Sequence, residues 1–292
     1  MGNLEIKERY ANFYTDFAFK KFFGTEANKD ILISFLNSLF DGQEVVEDLE
    51  YLNGEQLGPT ALERKAVFDV YCRNDKGDRF LIEMQKADQN YFKDRSIYYS
   101  TFPIQEQAVK GSWNFRLDKV YTIGILNFTF DDNAPDYYHH EVQLMDTHTK
   151  KVFYDKLTYI YIEMPKFQKT EEELETLFDK WLFAMKHLST LNERPHALQE
   201  AIFARLFEQA EIAKFSQTEQ RSYRESQKDF WDLFSVKETA ENKGIAKGRA
   251  QGRAEGRAEG IMEVAKKMKD MGLPTETIIQ STGLSQDDIA AL

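Results

Sequence analysis

Apolar residues in the segment TDFAFKKFFGTEANKDILISFLNSLF (residues 15–40) recur at intervals of three and four, the period of an amphipathic helix, with Thr15-Asp16 ahead of them as a capping signal. The spacing predicts two helices separated at residues 24–28. Residues 43–52 mix Val45, Val46 and Leu49 with acids and suit a first strand, followed by a loop at 54–59. Two alternating runs, AVFDVYC and RFLIEMQ, flank a short Gly-containing turn, so residues 63–86 read as a hairpin. Residues 88–111 suit a helix interrupted near Pro103. DKVYTIGILNF (118–128) is apolar enough for a central strand, and YHHEVQLM and LTYIYIEM follow as two more. From Thr170 the period is helical again, over 171–191, 195–209 and about 216–242.

The hairpin can be registered from its turn. If Asp75-Lys76-Gly77 is a three-residue loop with Gly77 left-handed, paired residue numbers sum to 152. Alternation then puts Phe68, Val70, Cys72, Phe80, Ile82 and Met84 on one wholly apolar face, which must be core. The other face carries Lys65, Val67, Asp69, Tyr71, Arg79, Leu81, Glu83 and Gln85, with Asp69 directly across from Glu83. Like charges so placed destabilise a strand pair, and something must offset them. Lys65 or Arg79 on a solvated face would do so, and so would a hard divalent cation taking oxygen ligands from both carboxylates.

The C-terminal part is of another kind. KGIAKGRAQGRAEGRAEG (243–260) has glycine at every fourth position, a low-complexity repeat expected to be a linker or a pairing helix, since each interior glycine costs a helix about 1 kcal/mol but permits close approach. Residues 261–292 read as three short helices in helix-turn-helix outline, separated by Gly272, Pro274, Gly283 and Ser285. The acids Asp287 and Asp288 at the start of the last helix favour a packing or oligomerisation unit over a DNA reader.

Composition narrows the class. The 292 residues, 42% of them hydrophobic, suffice for a sizeable core, and the net charge of −11 argues against bulk coating of nucleic acid. Any phosphate contact would be a local patch; Lys243, Lys247, Arg249, Arg253 and Arg257 face only Glu255 over residues 243–257. No apolar run long enough to span a membrane and no signal-peptide order at the N-terminus point to a cytoplasmic protein. Cys72, the single cysteine, allows no internal disulfide and no cysteine-based zinc site. His139 and His140 are neighbours on a strand and point to opposite faces, so they do not converge with Glu141 and His148 on zinc.

Four stretches carry a resemblance: TDFAFKKFFG (15–24), FDVYCRNDKGDRFLIEMQ (68–85), KVYTIGILNF (119–128) and the IEMPKF run (162–167), followed by the glycine repeat. Together they resemble the Rpn family of recombination-promoting nucleases and transposase-like proteins, a branch of the PD-(D/E)XK nuclease superfamily. The fold implied is an α/β, restriction-endonuclease-like core: a helix, a three-stranded antiparallel meander, a helix and a further strand, forming a mixed sheet flanked by helices. The domains expected are a nuclease-like domain at 1–168, a helical region at 169–242, the repeat at 243–260 and the small helical tail at 261–292.

The activity that resemblance implies is Mg²⁺-dependent (or Mn²⁺-dependent) endonucleolytic hydrolysis of DNA, linked to recombination or mobile elements. Asp69 and Glu83 would be the metal ligands. Gln85 stands where many superfamily members have lysine, and glutamine orients a water or phosphate but supplies no charge. Lys65, on the same face, would supply it; Lys86 alternates to the other face. Arg95 and Tyr98, with Tyr99 nearby, are placed to contact DNA, as is Lys86, while the tyrosines also suit packing. Asp16 either completes the site or complements its helix dipole. The alternative function is a catalytically weak or inactive nuclease-fold module that binds DNA or oligomerises, and a homo-oligomer through the C-terminal helices is expected. No role is legible for Glu163 and Lys166.

Overall fold

The computed structural model describes residues 8–56, 66–87, 91–108, 111, 113–130 and 134–292. Contacts divide the chain into two units, Met1–Leu233 and Phe234–Leu292.

In the first unit, α1 (Asp16–Phe23) and α2 (Lys29–Phe40) lead into β1 (Leu49–Tyr51), a short ribbon of β2 (Glu55–Gln56) and β3 (Ala66–Val67), then β4 (Val70–Asn74) and β5 (Arg79–Gln85). Helix α3 (Phe92–Gln105) crosses to β6 (Val120–Leu126), and β7 (His139–Met145) and β8 (Val152–Glu163) complete a six-stranded sheet of order β1-β4-β5-β6-β8-β7. The first three strands of that order pair antiparallel, whereas β5, β6 and β8 run parallel. The fold is therefore the mixed-sheet α/β core expected. Every residue of β6 is buried, as a central parallel strand covered on both faces requires.

One face of the sheet packs on α1, α2, α4 (Leu177–His187), α5 (Ala201–Ala210) and the start of α6 (Gln217–Asp270). Val70, Cys72, Phe80, Ile82, Met84, Ile123, Ile125 and Ile162 share this core with Phe22, Phe35, Trp181, Phe203 and Tyr223. On the other face α3 covers Tyr71, Leu81 and Val120 with Tyr99 and Phe102, and Phe92 packs edge-on against Tyr161 and Phe128. Hydroxyl pairs Ser96–Tyr161 (2.7 Å) and Ser100–Tyr159 (2.8 Å) fix α3 to β8.

The hairpin register is the expected one: Val70 pairs with Ile82 and Cys72 with Phe80. Gly77 takes φ +93°, the left-handed conformation its loop needs, and Gly77 N–H closes the turn on the Asn74 carbonyl at 3.1 Å. One of the two readings of its second face is removed, and two expectations fail. The second hairpin face is not solvated, because α3 buries it. The chain bends at Asp69, between β3 and β4, so Phe68 joins Tyr71 and Leu81 under α3 instead of the Val70 face. Helix α3 runs through Pro103 and stops two residues later, close enough to its end that the missing N–H breaks little.

In the second unit the rest of α6, with its five glycines at residues 244–260, is helical, and a Cβ added at any of them would meet nothing within 4 Å. Residues 243–260 are thus part of a continuous helix. Two short helices follow, α7 (Thr275–Thr282) and α8 (Gln286–Ala291). Gly272 and Gly283 adopt φ +76° and +74°, and Ser285 and Asp288 form a capping box at α8. Ala265, Ile278 and Ile289 are the small core that closes this unit.

Candidate functional site

Cα pairing of β4 with β5 ends at Val70–Ile82, one step before Asp69 would face Glu83. The Phe68 N–H bonds instead to the Gly54 carbonyl at 2.9 Å, and the Phe68 carbonyl lies 2.8 Å from where a Cβ of residue 54 would sit. That turn takes Phe68 off the ladder and orphans the Met84 N–H, which donates to Asp69 Oδ2 at 2.9 Å. The Asp69 carboxylate is held at the C-terminal end of β5 by this bond.

Glu83 comes to the same place from β5. Its Oε2 accepts from Gln85 Nε2 at 2.9 Å, and Arg95 Nη2 donates to Gln85 Oε1 at 2.5 Å. Gly124 is its register neighbour on β6, and a side chain there would press on the Tyr161 ring and the Leu126 side chain. Asp69, Glu83, Gln85, Lys86 and Arg95, with Asp16 from the first turn of α1, line one cavity of about 220 Å³, completed by Phe19, Met84 and Tyr99. Asp16 stands half exposed at its edge and pairs with Lys20 at 2.9 Å.

Burial raises Glu83 to about 7, with the Asp69 charge adding to the rise and the Arg95 guanidinium and Gln85 amide opposing it. Burial also raises Asp69; the Met84 N–H works the other way, as do Lys20 and Lys86, while Asp16 adds to the rise. Two neighbouring acids forced up by desolvation, Glu83 also by the Asp69 charge, are what a cation at this point would relieve. Asp69 Oδ1 and Glu83 Oε1 accept no hydrogen bond among the described residues, so each carboxylate keeps an oxygen for that purpose. Among the described residues no group of three or more His, Cys, Asp or Glu is gathered in metal-holding fashion. The donor set is the hard-oxygen pair that suits Mg²⁺, which keeps several waters and phosphate oxygens in its shell.

Residues 13–240 match the PD-(D/E)XK nuclease family transposase model. The chain belongs to that family. Residues 258–292 match the C-terminal helix-turn-helix domain of the Rpn/YhgA-like nuclease family. The small tail thus matches a helix-turn-helix domain, in keeping with the outline read from its helices, and one of its two acids, Asp288, is spent on capping Ser285. Neither a search of curated proteins nor one of solved structures gives a match.

The other predicted residues of this nuclease-family chain fall out as follows. Lys86 lines the cavity together with Met84, Asp16 and Phe19, because the cavity lies at the end of β5 and receives residues from both faces of the sheet. Arg95 reaches the cavity, whereas Tyr98 does not line it; its ring packs on Phe102 at 5.3 Å and is 44% exposed. Lys65 lies outside the described residues. His139 packs on Phe178, while His140 contacts Glu163, so the two histidines do diverge.

Glu163 has a structural place that the sequence did not disclose. It is fully buried and accepts from the Phe130 N–H at 2.8 Å, from Lys166 at 3.1 Å and from His140. The spacing of Glu163 and Lys166, three apart in IEMPKF, was the available signal; the strand partner His140 was not visible without β7–β8 pairing.

Proposed function

We propose that this family member is a Mg²⁺-dependent, or Mn²⁺-dependent, DNA endonuclease acting in recombination or on mobile elements. The observation that supports it is the convergence of Asp69 and Glu83, each with an uncommitted oxygen, on a cavity that also receives Arg95 and Lys86. Asp69 and Glu83 hold the ion. When bound, the ion supplies Lewis acidity toward the scissile phosphate and lowers the pKa of water. Asp69 is kept in place by the Met84 N–H and Glu83 by Gln85. Gln85 orients the groups around Glu83 but is not a base near neutral pH. Lys86 at the edge meets the phosphate backbone, and Tyr98 lies further along α3 as a flanking DNA contact. Asp16, paired with Lys20, is a rim acid rather than a ligand.

The helix-turn-helix domain would add DNA contacts of its own, and exposed Val236, Ile245, Met262 and Val264 on α6 support self-association through the C-terminal helices. A cytoplasmic location suits a DNA substrate. The second reading, a DNA-binding or oligomerising module with weak or no catalysis, is favoured by Gln85, which brings no charge to the site. Supercoiled plasmid incubated with protein and Mg²⁺ separates the two. Nicking by wild type and none by Asp69→Ala is expected, and nicking that survives Asp69→Ala sinks the assignment.

A further inference from the structure

A phosphodiester entering this cavity meets Asp16, Asp69 and Glu83, three carboxyl groups that oppose its negative charge, and β5 offers only an amide at position 85. Resting on the nuclease reading, we infer that Arg95 is the positioning cation of the site: through Gln85 it sets the hydrogen-bonding order around Glu83, and from α3 it brings the positive charge that β5 lacks.

The argument starts from what a guanidinium does. It has donors and no acceptor, so the atom of Gln85 that faces Arg95 must be the carbonyl oxygen. The amide NH₂ is then turned to Glu83 Oε2, as found. The order Arg95 to Gln85 to Glu83 therefore runs one way only. Remove Arg95 and the amide loses the partner that decides its orientation; flipped, it would present oxygen to the Glu83 carboxylate. The Arg95 guanidinium also lies 5.9 Å from the Phe92 ring centre and 5.8 Å from that of Tyr99, both on its own helix, which limits its freedom to swing away. Helix α3 is itself tied to β8 by the Ser96 and Ser100 hydroxyls, so the charge is delivered from a rigid element. Lys86 stands at the same cavity, but no hydrogen bond joins it to Gln85 or Glu83 among the described residues.

The test uses the full-length chain as wild type, Arg95→Met, Arg95→Lys and the double variant Gln85→Lys/Arg95→Met. Wild type should nick supercoiled plasmid in Mg²⁺, and Arg95→Met should lower the single-turnover rate by about 10²-fold, the scale of losing one electrostatic stabiliser. Calorimetric Mn²⁺ affinity should stay within about threefold, since Arg95 is not a ligand. Arg95→Lys should fall between, and Gln85→Lys added to Arg95→Met should recover about tenfold by putting charge back from β5. A readout independent of cleavage is the Gln85 side-chain amide in ¹⁵N-glutamine-labelled protein without divalent ions, identified by its absence from Gln85→Glu. Its hydrogen exchange should be slow in wild type and fast in Arg95→Met. A rate for Arg95→Met within about threefold of wild type, unchanged Gln85 exchange, or no recovery in the double variant overturns the inference. If Arg95→Met does not fold, Arg95→Gln is judged by the same criteria. If wild type does not nick, the nuclease reading fails, and the amide exchange still decides whether Arg95 positions Gln85.

Discussion

The Met84 N–H donates to Asp69 Oδ2 across 2.9 Å, at the step of the β4–β5 ladder where a straight strand would offer the Phe68 carbonyl. A ladder hydrogen bond has been exchanged for a side-chain one, and the exchange brings a carboxylate to the end of β5 beside Glu83. The satisfied backbone donor compensates part of the cost of burying Asp69.

Gly54 sustains that exchange, because a methyl group there would sit 2.8 Å from the Phe68 carbonyl. Gly54→Ala should push Phe68 back and displace Asp69, costing about 1–3 kcal/mol of stability. Mn²⁺ affinity measured by calorimetry should fall about tenfold or more even where the protein remains folded. Unaltered affinity would mean that the bend does not depend on the glycine.

Glu83 makes the metal-free protein pH-sensitive. Its folded-state pKa, about 7, lies above its ordinary value of 4.5, so folding takes up a proton between those values. Stability contributed by the protonated group is present below about 4.5 and is lost as pH rises toward 7. In EDTA, Glu83→Gln should therefore be more stable than wild type at pH 8, by on the order of 2 kcal/mol, with the difference gone near pH 4. Urea melts at the two pH values measure it.

Divalent ions should invert this order. Wild type in Mn²⁺ gains stability with ion concentration by mass action, about 2.7 kcal/mol at a hundredfold excess over the dissociation constant. Asp69→Asn and Glu83→Gln should show little or no gain. Thermal melts with and without Mn²⁺ give the comparison, and equal gains in all three proteins would place the ion elsewhere.

Glu163 should matter to folding and not to the site. Glu163→Ala leaves the Phe130 N–H, Lys166 and His140 without their shared acceptor and should cost about 3–5 kcal/mol, read as a lowered denaturation midpoint. Mn²⁺ affinity of the folded fraction should match wild type.

Much of the hairpin was legible in the chain itself. The turn residues Asp75, Lys76 and Gly77 set the register, and alternation from that register put Val70, Cys72, Phe80, Ile82 and Met84 in the core and Glu83 away from it. Such features depend on neighbours a few residues apart and on the two-residue period of a strand, and both are written locally. The family resemblance was likewise carried by contiguous stretches, which the matches over 13–240 and 258–292 bear out.

Tertiary structure decided the rest. The bend at Asp69 depends on Gly54, fifteen residues earlier, accepting the Phe68 N–H; nothing between Phe68 and Asp69 announces it. Lys86 reaches the cavity because the pocket at the end of β5 is open to both faces of the sheet, with Asp16 and Phe19 brought in by α1 from far away in sequence. Arg95 met Gln85 only because α3 crosses the sheet on the side that carries Glu83, and Glu163 found His140 only through the β7–β8 pairing. Periodicity tells which way a side chain points while its element lasts. Which groups then meet at the element's end is a matter of packing between distant segments, which no local pattern contains.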